Sequence, residues 1–178
     1  MLIADHGDDA ELVYTRRRHD LRSHPDQVSF PGGRVDPGET IEQAAVREAV
    51  EEVTLRPDTV TLLGRLPALY IPPSRFWLQP VVAHWTAPHP LVAAEAEVAE
   101  VLSVPLSRLR DQDVWRTVRL STSGWSWAWQ LDERHLLWGA TAVVTAELLA
   151  LLDGQWHGGL DPADLADREV TPWRGPPA

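Results

Sequence analysis

Three glutamates, Glu48, Glu51 and Glu52, lie on one predicted helix that contains no lysine. Because Glu48 and Glu52 are four residues apart, their like charges destabilise the helix by about 0.2–0.5 kcal/mol, and the pair of Arg47 and Glu51 recovers a similar amount. A helix with three glutamates is most often a solvated acidic surface. Clustered carboxylates are also the ligands that Mg²⁺ and Mn²⁺ prefer, so the residues around the helix decide between the two interpretations.

The loop that precedes this helix is rich in glycine and proline. Residues 30–33 (FPGG) and 36–39 (DPGE) combine stiff prolines with glycines, which adopt backbone conformations closed to other residues. Ala44 and Ala45 lie towards the acidic side of the helix and leave room for the loop to fold over it. The sequence therefore predicts a site for a divalent cation between a backbone-rich loop and the carboxylates.

The helix is predicted to begin after Thr40, whose hydroxyl forms a capping box with Gln43, and to end at about residue 53. Four apolar residues at helical spacing predict the side that packs on a sheet, and the glutamates gather on the opposite side. These apolar residues are Val46, Ala49, Val50 and Val53.

Strands and a second helix surround this segment. Apolar and β-branched runs predict strands at residues 2–4, 11–15, 60–66, 76–85, 114–120 and 125–130. A helix is predicted at residues 140–152 and a short helical turn at residues 106–109. This order favours an α/β fold with helices packed on mixed sheets. We expect a single domain over residues 1–153 and an irregular C-terminal tail over residues 154–178.

Four tryptophans fall within the predicted strands. Alternation along the strands predicts that they pack in the core or on a sheet rather than stack on a ligand. They are Trp77, Trp85, Trp127 and Trp129.

The composition of the 178 residues restricts the classes of function. The absence of cysteine excludes disulfides and thiolate chemistry. A formal net charge of −10 argues against binding of bulk nucleic acid, which needs a broad basic surface. The longest apolar run is too short to cross a bilayer, and no basic region precedes an apolar one at the N-terminus. We therefore expect a soluble cytoplasmic protein with neither a membrane nor a nucleic-acid partner.

The spacing of the charged residues resembles the Nudix box. Gly33 is followed by five residues and Glu39, and then by seven residues and the segment REAVEEVTL at 47–55. The box normally has glycine at the position of Thr54, so the chain departs from it at the helix exit, where glycine usually adopts a left-handed cap. The resemblance implies a Nudix-type α/β/α sandwich with a mixed β-sheet, and an enzyme that cleaves diphosphates. It also implies that Glu39 ties the loop to the helix.

The same resemblance implies a metal site and its supporting residues. Glu48 and Glu52 would bind Mg²⁺ or Mn²⁺ together with the backbone of Gly33. Glu51 would be a further ligand or would act through bound water, and Arg47 would orient a carboxylate. The general base differs among members of the family and stays unassigned. The implied catalytic residues are Arg47, Glu48, Glu51 and Glu52.

A narrower resemblance concerns the coenzyme A diphosphatases within the Nudix family. Arg17, Leu21 and residues 29–33 (SFPGG) are similar to the segment that marks these enzymes, with a departure at Asp26, where glycine or glutamate is usual. Later segments that also resemble them lie at residues 69–82, 97–106 and 137–142.

Basic residues near this segment are candidates for binding substrate phosphates. A ligand with a diphosphate and a separate 3′-phosphate needs cationic groups beyond the metal. Solvent-facing arginines at a strand end are an equally good interpretation. The basic residues are Arg16, Arg17, Arg18, His19, Arg22 and His24. The substrate-binding residues that the resemblance implies are Arg17, Arg22, Gly32 and Gly33.

Two further glutamates, Glu97 and Glu100, are candidates for an extra carboxylate brought to the metal from another loop. Acids in such contexts are more often part of the solvated surface. The sequence leaves both interpretations open.

The leading hypothesis is metal-dependent hydrolysis of coenzyme A, or of its acyl esters, to 3′,5′-ADP and 4′-phosphopantetheine. One alternative keeps the chemistry but takes ADP-ribose, a dinucleotide or a nucleoside triphosphate as the substrate. Another is a Nudix-like module that senses a nucleotide without cleaving it. The oligomeric state stays open, with a homodimer among the options. The first strand begins almost at Met1, so we expect either further N-terminal structure or a different start.

Overall fold

The structure is a computed structural model of the chain, and it describes residues 1–5, 7, 9–120, 124–154, 157 and 160–172. The chain divides into two compact units, one from Met1 to Leu106 and one from Ser107 onward. The single domain over residues 1–153 stays a prediction beside this division. No helix in the described ranges is long and apolar enough to span a membrane.

Eleven strands, three α-helices and three 3₁₀ segments are present in the described residues. The strands are β1 (Leu2–Asp5), β2 (Ala10–Arg17), β3 (Val28–Ser29), β4 (Val60–Arg65), β5 (Leu69–Ile71), β6 (Phe76–Leu78), β7 (Val81–Trp85), β8 (Val98–Pro105), β9 (Trp115–Leu120), β10 (Gly124–Gln130) and β11 (Leu136–Leu137). The helices are α1 (Ile41–Val53), α2 (Leu106–Arg110) and α3 (Gly139–Asp153), and the 3₁₀ segments are Pro57–Thr59, Gln112–Val114 and Pro162–Arg168.

The first unit is built on a six-stranded mixed sheet. Its main path has the order β3-β2-β1-β7-β4, and β8 pairs with β2. Strands β1 and β7 are parallel, and the other pairs of this sheet are antiparallel. The predicted α/β class with a mixed sheet is therefore confirmed.

Helix α1 begins and ends as its sequence predicts. The hydroxyl of Thr40 accepts a hydrogen bond from the backbone N–H of Gln43, and the Gln43 side chain accepts one from the Thr40 N–H, so the predicted capping box is confirmed. Thr54 closes the helix in the left-handed region, with φ of 56°. A β-branched residue is strained in this conformation. The Thr54 hydroxyl oxygen accepts a hydrogen bond from the N–H of Val92 at 3.0 Å, which helps to hold the strained turn.

The buried side of α1 differs from the predicted one. Ala49 and Val53 pack into the core with Trp85 of β7, as predicted for a sheet-facing side. Val50 was also assigned to this side, and that prediction is wrong, because Val50 is 37% exposed. Glu52 was assigned to the open side but is only 7% exposed. The reason is that the glycine-rich loop covers the acidic side of the helix, whereas Val50 lines an open groove.

The predicted strand at residues 76–85 is divided in two. Strand β6 pairs only with β5, in a separate two-stranded sheet, and β7 joins the main sheet after Gln79 and Pro80. Proline cannot donate a ladder hydrogen bond, which favours the break here. Trp77 in β6 is 70% exposed and therefore packs not in the core but on the two-stranded sheet, where its ring centre lies 5.3 Å from that of Tyr70. Trp85, Trp127 and Trp129 are buried as predicted. Strand β8 was not predicted as a strand, since its alternation is interrupted by Glu100 and ends in a proline.

The second unit contains an antiparallel sheet of order β11-β10-β9, whose strands carry buried tryptophans. The indole N–H groups of Trp115 and Trp129 both donate to the carbonyl oxygen of Leu109 at 2.9 Å, which satisfies two buried donors at once. Helix α3 matches the predicted helix and ends at Gly154, with φ of 72°. The C-terminal tail is not uniformly irregular, because Pro162–Arg168 is helical and the N–H of Val170 donates to Thr117 of β9.

Candidate functional site

Arg47 of α1 connects the glycine-rich loop to the carboxylates of the helix. Its guanidinium donates two hydrogen bonds to Glu39, at 2.8 and 3.2 Å. It also donates to Glu48 and to Glu51, each at 3.0 Å, and to the backbone carbonyl of Arg34 at 2.9 Å. These bonds keep the pKa of the Glu39 carboxyl below its ordinary value. A single side chain thus fixes two helix carboxylates and the preceding loop.

Glu39 secures the loop from the other direction. One of its carboxylate oxygens accepts a hydrogen bond from the backbone N–H of Asp36 at 3.0 Å. Because the same carboxylate binds Arg47, the turn at residues 36–39 is held against the middle of α1. Glu39 thus contacts both the loop and the helix.

Gly33 lies directly against the Glu48 carboxylate. A Cβ atom added at Gly33 would be 2.5 Å from Cδ and 2.7 Å from Oε2 of Glu48, closer than van der Waals contact allows. The backbone can approach the carboxylate this closely only because position 33 has no side chain. Loop backbone and a helix carboxylate are therefore adjacent, the arrangement from which a metal site of backbone and carboxylate oxygens is built.

Glu52 is a buried carboxylate beneath the loop. Its Oε2 accepts a hydrogen bond from the Gly32 N–H at 3.2 Å. The pKa of the Glu52 carboxyl is raised to about 7, and burial is the main cause; the bond from Gly32 acts to lower it and the neighbouring charge of Glu48 acts to raise it. Among the weaker charge effects, the guanidinium of Arg17 lowers the pKa and the carboxylate of Glu97 raises it. These influences locate Glu48, Arg17 and Glu97 near Glu52.

Glu51 occupies a different environment. Its side chain is 57% exposed, and it accepts a hydrogen bond from Arg47. The described residues include no group of three or more His, Asp or Glu side chains already arranged around a metal position. Glu51 is paired directly with Arg47. Its role as a metal ligand, or as a residue that acts through bound water, therefore stays a prediction.

Glu48, Glu52 and the backbone at Gly33 could still hold a divalent cation. Mg²⁺ commonly retains several waters and is bound by one or two carboxylates plus substrate phosphates. Two neighbouring carboxylates, one of them buried with a raised pKa, repel each other unless a cation or a proton is present. The donor atoms are hard oxygens, which suit Mg²⁺ or Mn²⁺. The residues present fit such an ion.

Among the basic residues at positions 16–24, Arg17 lies near the buried Glu52. Its Nη1 lies 3.9 Å from a carboxylate oxygen of Glu97, and its buried Nε has no hydrogen-bond partner among the described residues. A buried donor without a partner is costly and is often satisfied by water or by a ligand. Arg17 therefore places a cationic side chain next to Glu52.

The other basic residues of the cluster have local partners. Arg16 donates to Asp26 at 2.8 Å and to Glu100 at 3.4 Å. Arg18 binds Asp20 through two hydrogen bonds, at 2.6 and 2.8 Å. Arg16 and Arg18 therefore have a structural role in local ion pairs.

Arg22 is exposed, and no hydrogen bond or ion pair in the described part of the chain joins it to the acidic residues of α1. Of the two extra acids, Glu97 lies near Glu52, whereas Glu100 is paired with Arg16. Of the two predicted phosphate-binding arginines, the structure brings Arg17 to the carboxylates. Of the two extra acids, it brings Glu97.

No pattern in the sequence singled out Arg34. Its carbonyl binds Arg47, and its guanidinium lies 4.9 Å from the centre of the Phe76 ring. The only available signal was its position directly after Gly33 in the loop. The contact with Phe76 depends on strand β6, which is distant from Arg34 in the chain, so no local pattern could indicate it.

Comparison with known sequences identifies the first two thirds of the chain with a protein family. A family model described as the NUDIX domain matches residues 1–120. A protein of Pectobacterium atrosepticum named "Uncharacterized Nudix hydrolase NudL" is 38% identical over 144 residues, which cover 77% of this chain and 72% of that protein. The protein of the same name from Escherichia coli strain SMS-3-5 is 35% identical over 144 residues, with the same coverage.

Solved structures show the same fold. A crystal structure of a Nudix hydrolase from M. smegmatis, RenU, matches with a TM-score of 0.59, covering 90% of this chain and 86% of that one at 20% identity. A C. elegans Ap4A hydrolase in a binary complex matches with a TM-score of 0.52, covering 60% of this chain and 76% of that one, also at 20% identity. At this level of identity the likeness concerns the fold alone.

Proposed function

This chain belongs to the Nudix hydrolase family, and we propose that its substrate is coenzyme A or an acyl-CoA. Hydrolysis of the diphosphate bond would release 3′,5′-ADP and the corresponding 4′-phosphopantetheine. The coarser activity, hydrolysis of a nucleoside diphosphate derivative, follows from membership of the family. The choice of coenzyme A rests on the segment from Arg17 to Gly33 and on the position of Arg17.

Divalent metal ions are general in Nudix hydrolases, and the bound ion would neutralise phosphate oxygens and lower the pKa of a water molecule. Glu48, Glu52 and the Gly33 carbonyl would hold it. A cation next to Glu52 lowers the pKa of this carboxyl, so the ligand form is the carboxylate. Arg47 keeps Glu48 and Glu51 oriented through its hydrogen bonds to both.

The observation that carries the substrate proposal is the environment of Arg17. Its buried Nε lacks a partner among the described residues, and its charge acts on Glu52. A guanidinium in this position would bind a phosphate oxygen of the substrate, since arginine matches phosphate geometry. Glu97, 3.9 Å away, would keep the Arg17 side chain oriented towards the site.

The proposal is tested by incubating the purified protein with coenzyme A, ADP-ribose and a deoxynucleoside triphosphate. Each compound is supplied with Mg²⁺, with Mn²⁺ and with chelator, and the products are identified by chromatography. We expect metal-dependent release of 3′,5′-ADP from coenzyme A, faster than cleavage of the other two compounds. Faster cleavage of ADP-ribose or of the triphosphate would discard coenzyme A as the substrate.

Two arginine variants separate the role of Arg17 from general charge. Arg17→Ala should raise the KM for coenzyme A roughly tenfold or more, because a charge-assisted hydrogen bond to phosphate is lost. Arg22→Ala removes the same charge from an exposed position and should change KM much less. Equal effects of the two variants would show that only the overall charge of the cluster matters.

A further inference from the structure

The hairpin of β5 and β6 stands apart from the main sheet and exposes aromatic rings. Its two strands pair only with each other, through Leu69 with Leu78, Tyr70 with Trp77 and Ile71 with Phe76. Tyr70, Phe76 and Trp77 are all exposed, and Phe76 is 51% exposed. Because side chains alternate along a strand, Phe76 and Trp77 lie on opposite faces of the hairpin.

Phe76 is connected to the metal-binding loop. The guanidinium carbon of Arg34 lies 4.9 Å from the centre of the Phe76 ring, within the range of a cation–π contact. Arg34 directly follows Gly33, which packs on Glu48, and the carbonyl of Arg34 accepts a hydrogen bond from Arg47. Phe76 therefore contacts Arg34, and Arg34 directly follows the glycine whose backbone lies against the Glu48 carboxylate.

The charge around Phe76 favours an anionic ligand. Arg34 and Arg75 are both exposed, and neither forms an ion pair within the described residues, although the protein carries a formal net charge of −10. Arg75 immediately precedes Phe76 and forms the end of the hairpin turn, where its N–H donates to the Ile71 carbonyl at 2.8 Å. An exposed ring with an exposed guanidinium group against it suits a planar base attached to phosphates.

We propose that Phe76 and Arg34 form the stacking platform for the adenine base of the substrate, beside the carboxylates that receive its diphosphate. This inference rests on the proposed function for the location of the diphosphate. Every base offers a flat aromatic face, and both aromatic rings and arginine planes stack on it. The exposed Trp77, on the opposite face of the hairpin, takes no part.

Direct binding tests the platform. Equilibrium dialysis of the full chain measures the Kd of 3′,5′-ADP, which contains adenine, and of 4′-phosphopantetheine, which does not. Phe76→Ala should weaken binding of 3′,5′-ADP by about 5- to 150-fold, the factor that corresponds to base–aromatic stacking. Binding of 4′-phosphopantetheine should stay unchanged. Phe76→Tyr keeps a stacking ring and should retain most of the affinity.

Trp77→Ala is the matched control, because it removes an exposed ring from the neighbouring position on the opposite face. It should leave the affinity for 3′,5′-ADP unchanged. The proposal is overturned if Trp77→Ala weakens binding as much as Phe76→Ala, if Phe76→Ala weakens 4′-phosphopantetheine instead, or if Phe76→Ala has no effect. A loss of dimer in light scattering, without a change in Kd, would assign the hairpin to contact with a second copy and would also overturn it.

The outcome for the platform is separable from that for the substrate. If the wild-type protein does not cleave coenzyme A but Phe76→Ala still weakens 3′,5′-ADP or ADP-ribose, the substrate assignment fails and the platform stands. If coenzyme A is cleaved and Phe76→Ala binds 3′,5′-ADP as tightly as the wild type, the platform fails and the substrate stands. A wild-type protein that binds neither adenine nucleotide would refute the platform.

Discussion

The two sides of helix α1 distribute their polar and apolar residues differently. On one side Glu52 is only 7% exposed, beneath the glycine-rich loop and hydrogen-bonded to Gly32. On the other side Val50 is 37% exposed and lines an open groove with Leu62 of β4. The burial of each residue depends on whether another segment covers it, and not on the polarity of its side chain.

The buried position of Glu52 is unfavourable for stability. Burying a carboxylate without a cation is unfavourable, and the raised pKa of Glu52, to about 7, reports this cost. Stability alone would place a charged residue in the open groove and an apolar one beneath the loop. The opposite arrangement is typical of a functional site, where perturbed carboxylates cluster.

The largest expected effect concerns the covered side. Glu52→Gln and Glu48→Gln should each lower turnover by several orders of magnitude while the fold persists, because glutamine keeps the shape but loses the charge that binds the metal. Turnover is measured at saturating metal and substrate, and circular dichroism checks the fold.

Glu42→Gln is the control for this pair, since Glu42 lies on the same helix and binds Arg65 rather than the site. Its turnover should remain close to that of the wild type. Near wild-type turnover in either Glu48→Gln or Glu52→Gln would refute the metal site on the covered side.

The contrast between core and groove is sharpened by two aspartate variants on the same helix. Val53→Asp should destabilise the protein by about 3–5 kcal/mol or unfold it, because it leaves an uncompensated charge in the core. Val50→Asp should change the free energy of unfolding by less than about 1 kcal/mol, since the side chain can remain in water. Urea denaturation measures both. Comparable losses would mean that the groove is closed in solution.

A smaller effect is expected from Gly33→Ala. The new methyl group would overlap the Glu48 carboxylate, which is the mobile end of a side chain and can move aside. The fold should therefore survive, and turnover should fall about 10- to 100-fold, as for other changes that misorient a metal ligand. Apparent Mg²⁺ affinity, obtained from activity titrations, should weaken in parallel. An unchanged Mg²⁺ dependence would separate Gly33 from the metal.

The smallest effect concerns the exposed side of the helix. Hydrogen bonds from Arg65 lower the pKa of the Glu42 carboxyl to about 2, from an ordinary value of 4.5. A lowered carboxyl pKa stabilises the fold above pH 4.5, and this contribution is lost as the pH falls from about 4.5 towards 2. The wild type should thus be slightly more stable than Glu42→Gln at pH 7, and thermal denaturation should show the difference shrinking below pH 4.5. A difference independent of pH would exclude the ion pair as its cause.

Local patterns in the sequence were sufficient for helix α1 and its caps. Thr40 and Gln43 interact within one turn, and Ala49 and Val53 follow from helical periodicity. The same patterns failed for Val50, because helical periodicity does not show that the glycine-rich loop covers the acidic side or that Val50 lines an open groove with Leu62 of β4. They did not show that Trp77 stays exposed on its sheet, because an alternating strand is buried only if a second layer covers it, and β6 pairs with β5 alone.

The sequence by itself determined the α/β class, the capped helix and the spacing of the carboxylates with the glycine-rich loop, since these depend on contacts between residues close in the chain. Only the tertiary structure decided that Arg17 and Glu97 approach Glu52, that Arg16 and Arg18 are paired elsewhere, and that the Arg34 guanidinium lies over the Phe76 ring. Such contacts depend on strand pairing and loop closure over tens of residues. Whether they form depends on the free energy of the whole fold, and the local spacing of residues does not reveal it.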